Sequence, residues 1–198
     1  MIIKKEQIVT KEIQDVVENT LLNGEFPWYF NHGTVMVDAL NADPESYKYV
    51  ISTSSNPYQF VHVVIQRSVI NSAYYNLVEP FIDAVVDHYK QDIEFLKAKF
   101  NFLPKSDDSR YHYPHTDIGD ITPDLKSFVY YVNDSDGETY FFNEKAPRKE
   151  DQVGLTIREK ISPVKGNAVI FDADIFHCSS SPLYHDKRIV LNMVFRLL

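Results

Sequence analysis

The chain has 198 residues, 44% apolar and 24% charged, with 13 Tyr, 13 Phe, one Trp, six Gly and a formal net charge of −8. This size and balance suit one domain with a full core and argue against a disordered chain or a solenoid, while the acidic surface disfavours a nucleic-acid partner, which needs a basic stripe. The lone cysteine, Cys178, has no internal disulfide partner, the N-terminus shows no long apolar run, and no segment approaches the ~20 apolar residues of a membrane helix. A cytoplasmic protein without membrane contact is therefore expected.

Residues 10–22 read as a helix, with Thr10 able to cap it and Ile13, Val16, Val17, Thr20 and Leu21 at helical spacing; Gly24 and Pro27 stop it. The aromatic run Phe26-Pro27-Trp28-Tyr29-Phe30 reads either as core packing or as the wall of a substrate pocket that Trp28 would line. Residues 40–58, with Asp43-Pro44 and Asn56-Pro57, read as loop, and Phe60–Ile65 as a strand. A second helix is expected from about Leu77 to Tyr89, with Pro80 in its first turn. From Phe95 the apolar period changes to two. Strands are expected at 95–102, 110–115, 125–133, 138–142, 155–161, 167–172 and 187–197, with turn residues such as Asp134-Ser135-Asp136-Gly137 between most of them. The cluster Lys145, Arg148 and Lys149 is flanked by Glu144, Glu150 and Asp151 and reads as a solvated loop. The expected class is α+β, mainly β. No linker divides residues 1–198, so a single domain is expected, with a helical or mixed support region at 1–94 and a β-sandwich or barrel at 95–198.

Chemistry enters at His115-Thr116-Asp117. Residues i and i+2 of a strand project to one face, so this pair can converge on a metal ion, although the motif alone is weak. Sixty residues after Asp117, the apolar stretch from Val169 ends in His177. Two imidazoles and one carboxylate form the donor set of the non-haem Fe(II) facial triad, which leaves positions open for a cosubstrate and dioxygen. Arg188 opens the apolar strand Ile189-Val190-Leu191. A buried Arg needs a carboxylate, so a cosubstrate, an acidic side chain or an exposed strand edge are the readings. His32, His62, His88 and His185 read as structural or surface residues. His112 faces away from His115 and reads as a non-ligand, Asp172 and Asp174 as turn residues, and Cys178 as an inert packed thiol.

Several pieces stand in order: Tyr113-Pro114-His115-Thr116-Asp117, Phe128-Val129-Tyr130-Tyr131, Asp136-Gly137-Glu138-Thr139-Tyr140-Phe141, Pro163-Val164-Lys165-Gly166-Asn167-Ala168, His177 and Arg188-Ile189-Val190-Leu191. In order and spacing this set resembles the 2-oxoglutarate/Fe(II)-dependent oxygenase superfamily, in particular its prolyl-4-hydroxylase-like branch and small stand-alone phage-type enzymes. The resemblance implies a double-stranded β-helix, a jelly-roll or cupin-like core flanked by N-terminal helices. It implies Fe(II) on His115, Asp117 and His177, and 2-oxoglutarate on Arg188 with Tyr131. Tyr130 would face the other way, because strand neighbours alternate. Tyr111 and Tyr113 would line the pocket. The implied reaction is hydroxylation of an unactivated C–H bond, with dioxygen consumed and succinate and CO2 released. The implied partner is a small molecule or a peptide, with a prolyl residue as the first candidate beside free amino acids, other side chains and metabolites. Asp136-Gly137 departs from the family's double glycine. The alternative reading is a non-catalytic or isomerase-like cupin-type β-sandwich that binds a small ligand.

Overall fold

A computed structural model describes residues 1–35, 53–117, 122–146 and 154–198. In chain order the elements are β1 (Ile2–Lys5), α1 (Lys11–Leu22), β2 (Tyr29–Asn31), β3 (Gln59–Gln66), β4 (Val69–Ile70), α2 (Glu79–Tyr89), β5 (Ile93–Pro104), β6 (Leu125–Tyr131), β7 (Thr139–Lys145), β8 (Ile157–Ile161), β9 (Ala168–Asp172), β10 (Ile175–Ser179) and β11 (Lys187–Leu197). A short 3-10 turn at Tyr75–Leu77 leads into α2. The large sheet runs β1-β9-β6-β11-β5-β3-β2, with β4 paired to β3; the small sheet runs β10-β7-β8. Every strand pairing is antiparallel.

The middle of the large sheet, β9, β6 and β11, is buried on both faces, and the alternation of its strands sorts side chains between two cores. On one face Phe128, Tyr130, Ile189, Leu191, Met193 and Phe195 meet Val17 and Leu21 of α1 and Phe81 and Val85 of α2. Phe81 and Tyr130 pack with ring centroids 4.4 Å apart. On the other face Val129, Tyr131, Val169, Phe171 and Val190 meet Phe141 and Ile175 of the small sheet. The space between the sheets is where the candidate site lies.

Local physics explains the departures from the sequence reading. Thr10 does occupy the N-cap of α1, but its side chain makes no capping hydrogen bond. Val16 is exposed, and Gln14 is buried in its place because its Nε2 donates to the carbonyl of Val9 and to Oε1 of Gln7. The β3–β4 hairpin turns through Arg67 and Ser68, both left-handed at φ 51° and 62°, so neither of the usual turn residues, Gly or Asn, announces it. The strand expected at 110–115 is instead three isolated bridges, Ser55 to His112, Tyr111 to Ser180 and His115 to His177. Four strands of the large sheet come from the first 94 residues, β1 lying at its edge on β9. Residues 40–52 of the expected loop, and Arg148, Lys149, Glu150 and Asp151 of the basic cluster, lie outside the described residues. Among the described residues, no helix is long and apolar enough to cross a membrane.

Two substitutions test this core. Phe81 is fully buried, so Phe81→Ala should lower the unfolding free energy by about 3–5 kcal/mol in urea titrations. The Tyr130 hydroxyl is buried with no partner among the described residues, so Tyr130→Phe should be neutral or stabilise by up to about 1 kcal/mol; a clear loss would mean that the hydroxyl is satisfied in solution.

Candidate metal and cosubstrate site

His115 and His177 face each other across an antiparallel bridge and exchange both backbone hydrogen bonds at 3.0 Å. That pairing sets their side chains next to each other, with ring centroids 4.8 Å apart. In each ring Nδ1 lies 3.1 Å from a carbonyl two residues upstream, Tyr113 O for His115 and Ile175 O for His177. A carbonyl can only accept, so each Nδ1 carries a proton and Nε2 is the nitrogen of each ring left for a metal. Asp117 brings Oδ2 to 3.4 Å from His177 Nε2. The ligand atoms of His115, Asp117 and His177 all lie within 4.8 Å of one another.

Burial, and next the neighbouring His177, push His115 down to about 4, against the opposing pull of Asp117, so its imidazole is neutral at pH 7. For Asp117 burial works against ionisation, but His177 and Lys97 outweigh it and hold the carboxyl well below the usual range. Ser127 Oγ donates to Asp117 Oδ2 at 2.8 Å, and Asn192 Nδ2 reaches the same oxygen at 3.3 Å. Two imidazoles and one oriented carboxylate match the donor set that suits non-haem Fe(II), with no thiolate required.

Arg188 is only 4% exposed. Its Nε donates to Gly137 O at 2.7 Å and its Nη2 to Thr139 Oγ1 at 2.9 Å. Tyr131 donates its hydroxyl to the same Thr139 Oγ1 at 2.9 Å, and its ring centroid lies 5.9 Å from the guanidinium. Among the described residues no carboxylate pairs with Arg188. Burial lowers its pKa to about 10, against Tyr131 and Cys178, and it stays charged. Gly137 is required by close approach, because a Cβ there would sit 2.7 Å from Ser180 O and 2.9 Å from Arg188 Cδ. Asp136 accepts the backbone N–H groups of Leu183, Tyr184 and His185 at 2.9–3.0 Å. It ties down the loop that leads into β11.

The remaining expected residues fall elsewhere. Trp28 is a correction: its indole N–H donates to Leu21 O at 3.1 Å, and its ring packs on Phe26 and Phe102 in the core under the helices, across the large sheet from the triad. Tyr111 is another. It packs on Tyr140 and Phe142, which alternate with the inward-facing Phe141, so it covers the outer face of the small sheet. Tyr113 contributes its backbone carbonyl to His115. Tyr130 points into the helix-side core, opposite to Tyr131. His112 has a serine hydroxyl at each ring nitrogen, Ser179 at 3.0 Å and Ser181 at 3.1 Å. Asp172 pairs with Lys126 and Asp174 with Lys145. The sequence reading missed Ser127, Thr139 and Asn192. The available signal was Asn192 itself, a polar residue inside an apolar strand four positions beyond Arg188.

Burial, and next Arg188, depress His112 to about 3. A histidine depressed below its unfolded value near 6.5 contributes stability above that pH and loses it as pH falls towards 3. The stability difference between the wild type and His112→Gln should therefore shrink by about 1.4 kcal/mol per pH unit below 6.5; a parallel pair of curves would contradict a buried neutral His112. Gly137→Ala should cost about 1–3 kcal/mol through the clash with Arg188 and Ser180, read by thermal or urea unfolding.

No protein-family model matches the sequence, and no curated protein matches it significantly. Solved structures do match. An oxidoreductase of the 2OG-Fe(II) oxygenase family from Burkholderia pseudomallei aligns at TM-score 0.63 and 11% identity, over 98% of this chain and 84% of that one. SnoN, a non-heme alpha ketoglutarate dependent epimerase from nogalamycin biosynthesis, aligns at TM-score 0.64 and 8% identity, over 98% and 76%. A prolyl hydroxylase from Trichoplax adhaerens, solved with a hypoxia inducible factor peptide fragment, aligns at TM-score 0.61 and 13% identity, over 98% and 83%. At these identities the likeness is one of fold: the chain has the double-stranded β-helix of the 2-oxoglutarate/Fe(II) oxygenases, flanked by helices.

Proposed function

We propose that the protein is an Fe(II)- and 2-oxoglutarate-dependent dioxygenase that hydroxylates an unactivated C–H bond of a small molecule or peptide. The observation that carries this reading is Arg188. Among the described residues its guanidinium has no counter-ion; burial in that state is costly, by roughly several kcal/mol, and a metal-binding sandwich without a dicarboxylate has no use for it. It projects from the same face of β11 as Asn192, which holds Asp117.

In this reading His115 and His177 hold iron through Nε2 and Asp117 through its carboxylate. Arg188 takes the distal carboxylate of 2-oxoglutarate, with Thr139 and Tyr131 fixing the guanidinium. Bound iron and 2-oxoglutarate supply dioxygen activation, with succinate and CO2 as coproducts. The chain's own residues fix tautomer and orientation, and Phe141, Phe171 and Val190 line the intersheet space with apolar surface that excludes water. The prolyl hydroxylase likeness makes a prolyl substrate the first to screen. We further propose that residues 1–198 act as one domain, since β1 to β4 lie in the same sheet as β5, β6, β9 and β11. The free buried thiol of Cys178 suits the cytoplasm.

The test is anaerobic addition of Fe(II) and 2-oxoglutarate, read by the visible charge-transfer band of the chelate, followed by air and a succinate assay. The wild type should show the band and release succinate, and His115→Ala and Asp117→Ala should lose both. Arg188→Ala should weaken 2-oxoglutarate by about tenfold or more, with partial recovery in Arg188→Lys. A band that survives in Asp117→Ala, or an unchanged 2-oxoglutarate affinity in Arg188→Ala, would overturn the assignment.

A further inference from the structure

The face of β5 that looks into the intersheet space continues the site beyond β11. Lys99 lies in register with Asn192 on one side and Val63 on the other, and Asn101 with Val190 and Val61. Lys97, Lys99 and Asn101 therefore share the face that carries the partner of Asp117. Both lysines lie within electrostatic reach of Asp117. Among the described residues, however, neither ammonium donates a hydrogen bond or pairs with a carboxylate. Two like charges two residues apart on one face repel each other. Burial, and next Lys97, push Lys99 down to about 8, which still leaves it mostly protonated at pH 7. In an acidic chain, this is a local cationic patch that, among the described residues, feels the Asp117 carboxylate but forms no ion pair with it.

The neighbouring amides lack the opposite kind of partner. Gln59 Nε2 donates to Gly33 O at 3.2 Å, so its Oε1 is the atom that accepts Asn101 Nδ2 at 3.1 Å. Asn192 must turn its Nδ2 towards Asp117, because a carboxylate only accepts. Both side-chain orientations are thus fixed by chemistry. They leave Asn101 Oδ1 and Asn192 Oδ1 buried with no donor. Among the described residues the patch thus has two unpaired ammonium groups and two unpaired amide oxygens, a set that a ligand carrying a carboxylate and a hydrogen-bond donor together would complete.

We infer that the primary substrate is a free α-amino acid, its carboxylate received by Lys99 and Lys97 and its amino group by the amide oxygens of Asn101 and Asn192. The inference rests on the oxygenase reading for the reaction at this site, but not for the binding. The competing source of a carboxylate is 2-oxoglutarate itself, through the end that Arg188 does not hold.

The experiment challenges Fe(II)-loaded protein at saturating 2-oxoglutarate with the common free L-amino acids, proline included, and with their C-terminal amides. At least one acid should raise succinate release about tenfold or more above the uncoupled level, and its amide should not. Lys99→Gln should raise the KM for that acid about tenfold while leaving the apparent affinity for the cosubstrate within about twofold, and Lys99→Arg should restore most of the affinity for the acid. In parallel, NMR of the metal-free protein with 13Cε-labelled lysine should show the Lys99 signal moving with the acid and not with the amide. Amides that work as well as acids, no response to any amino acid, or a cosubstrate affinity that falls as much as that for the acid would each overturn the inference. Uncoupled succinate release without a shift of the Lys99 signal leaves the oxygenase reading standing alone. A shift without any succinate release removes that reading and keeps the amino-acid subsite.

Discussion

Strand β11 must satisfy two unlike environments at once, and the rest of the structure follows from how it does so. Ile189, Leu191, Met193 and Phe195 belong to the apolar core under the helices, while Arg188, Val190, Asn192 and Val194 face the small sheet and the candidate site. A slip of one residue would exchange the two sets, putting Arg188 among Phe81 and Leu21 and the apolar residues against Asp117. The register is pinned from outside the ladder: Asn133 Oδ1 accepts the N–H of Ile189 at 2.8 Å, and Val132 N donates to Ile189 O at 3.0 Å. The loop that Asp136 ties down delivers the chain into this register. The Asp136 carboxylate thus anchors the strand, and Gly137 beside it is required because Arg188 and Ser180 pass too close for a Cβ.

The site face is destabilising by itself. Among the described residues it holds a guanidinium without a counter-ion, two ammonium groups side by side, a carboxylate and two unsatisfied amide oxygens. Such groups lower stability unless a ligand completes them. The opposite face of the same strands offsets this with an apolar core in which Phe81, Phe100, Phe128, Leu191 and Phe195 are almost wholly removed from water. The division of labour is between the two faces of a single sheet, so a ligand bound at one face would relieve strain there without disturbing the packing on the other.

The ligand geometry shows how little local structure a metal site needs when the backbone pairing is right. Residues around His115 form no regular strand, yet the single bridge to His177 aligns both rings, and carbonyls two residues upstream fix both tautomers. The histidines that could compete are otherwise engaged: His112 lies between two serines, His62 between Pro27 O and Ser72, and His185 on Asp136.

Much of this was legible in the amino-acid order. Period-two alternation located most strands, His115-Thr116-Asp117 with the distant His177 named a metal donor set, and alternation separated Tyr131 from Tyr130. Those features are local or depend on chemical type, which a linear pattern preserves. Trp28 and Tyr111 were not legible in the same way. An aromatic side chain suits a pocket wall and a core equally well, and only the packing of Trp28 on Leu21 and Phe102, and of Tyr111 on Tyr140, chose the core and the outer face. The same holds for Ser127, Thr139, Asn192, Lys99 and Asn101. Their roles come from cross-strand register between segments far apart in the chain, and register is set by the whole sheet rather than by any stretch of sequence.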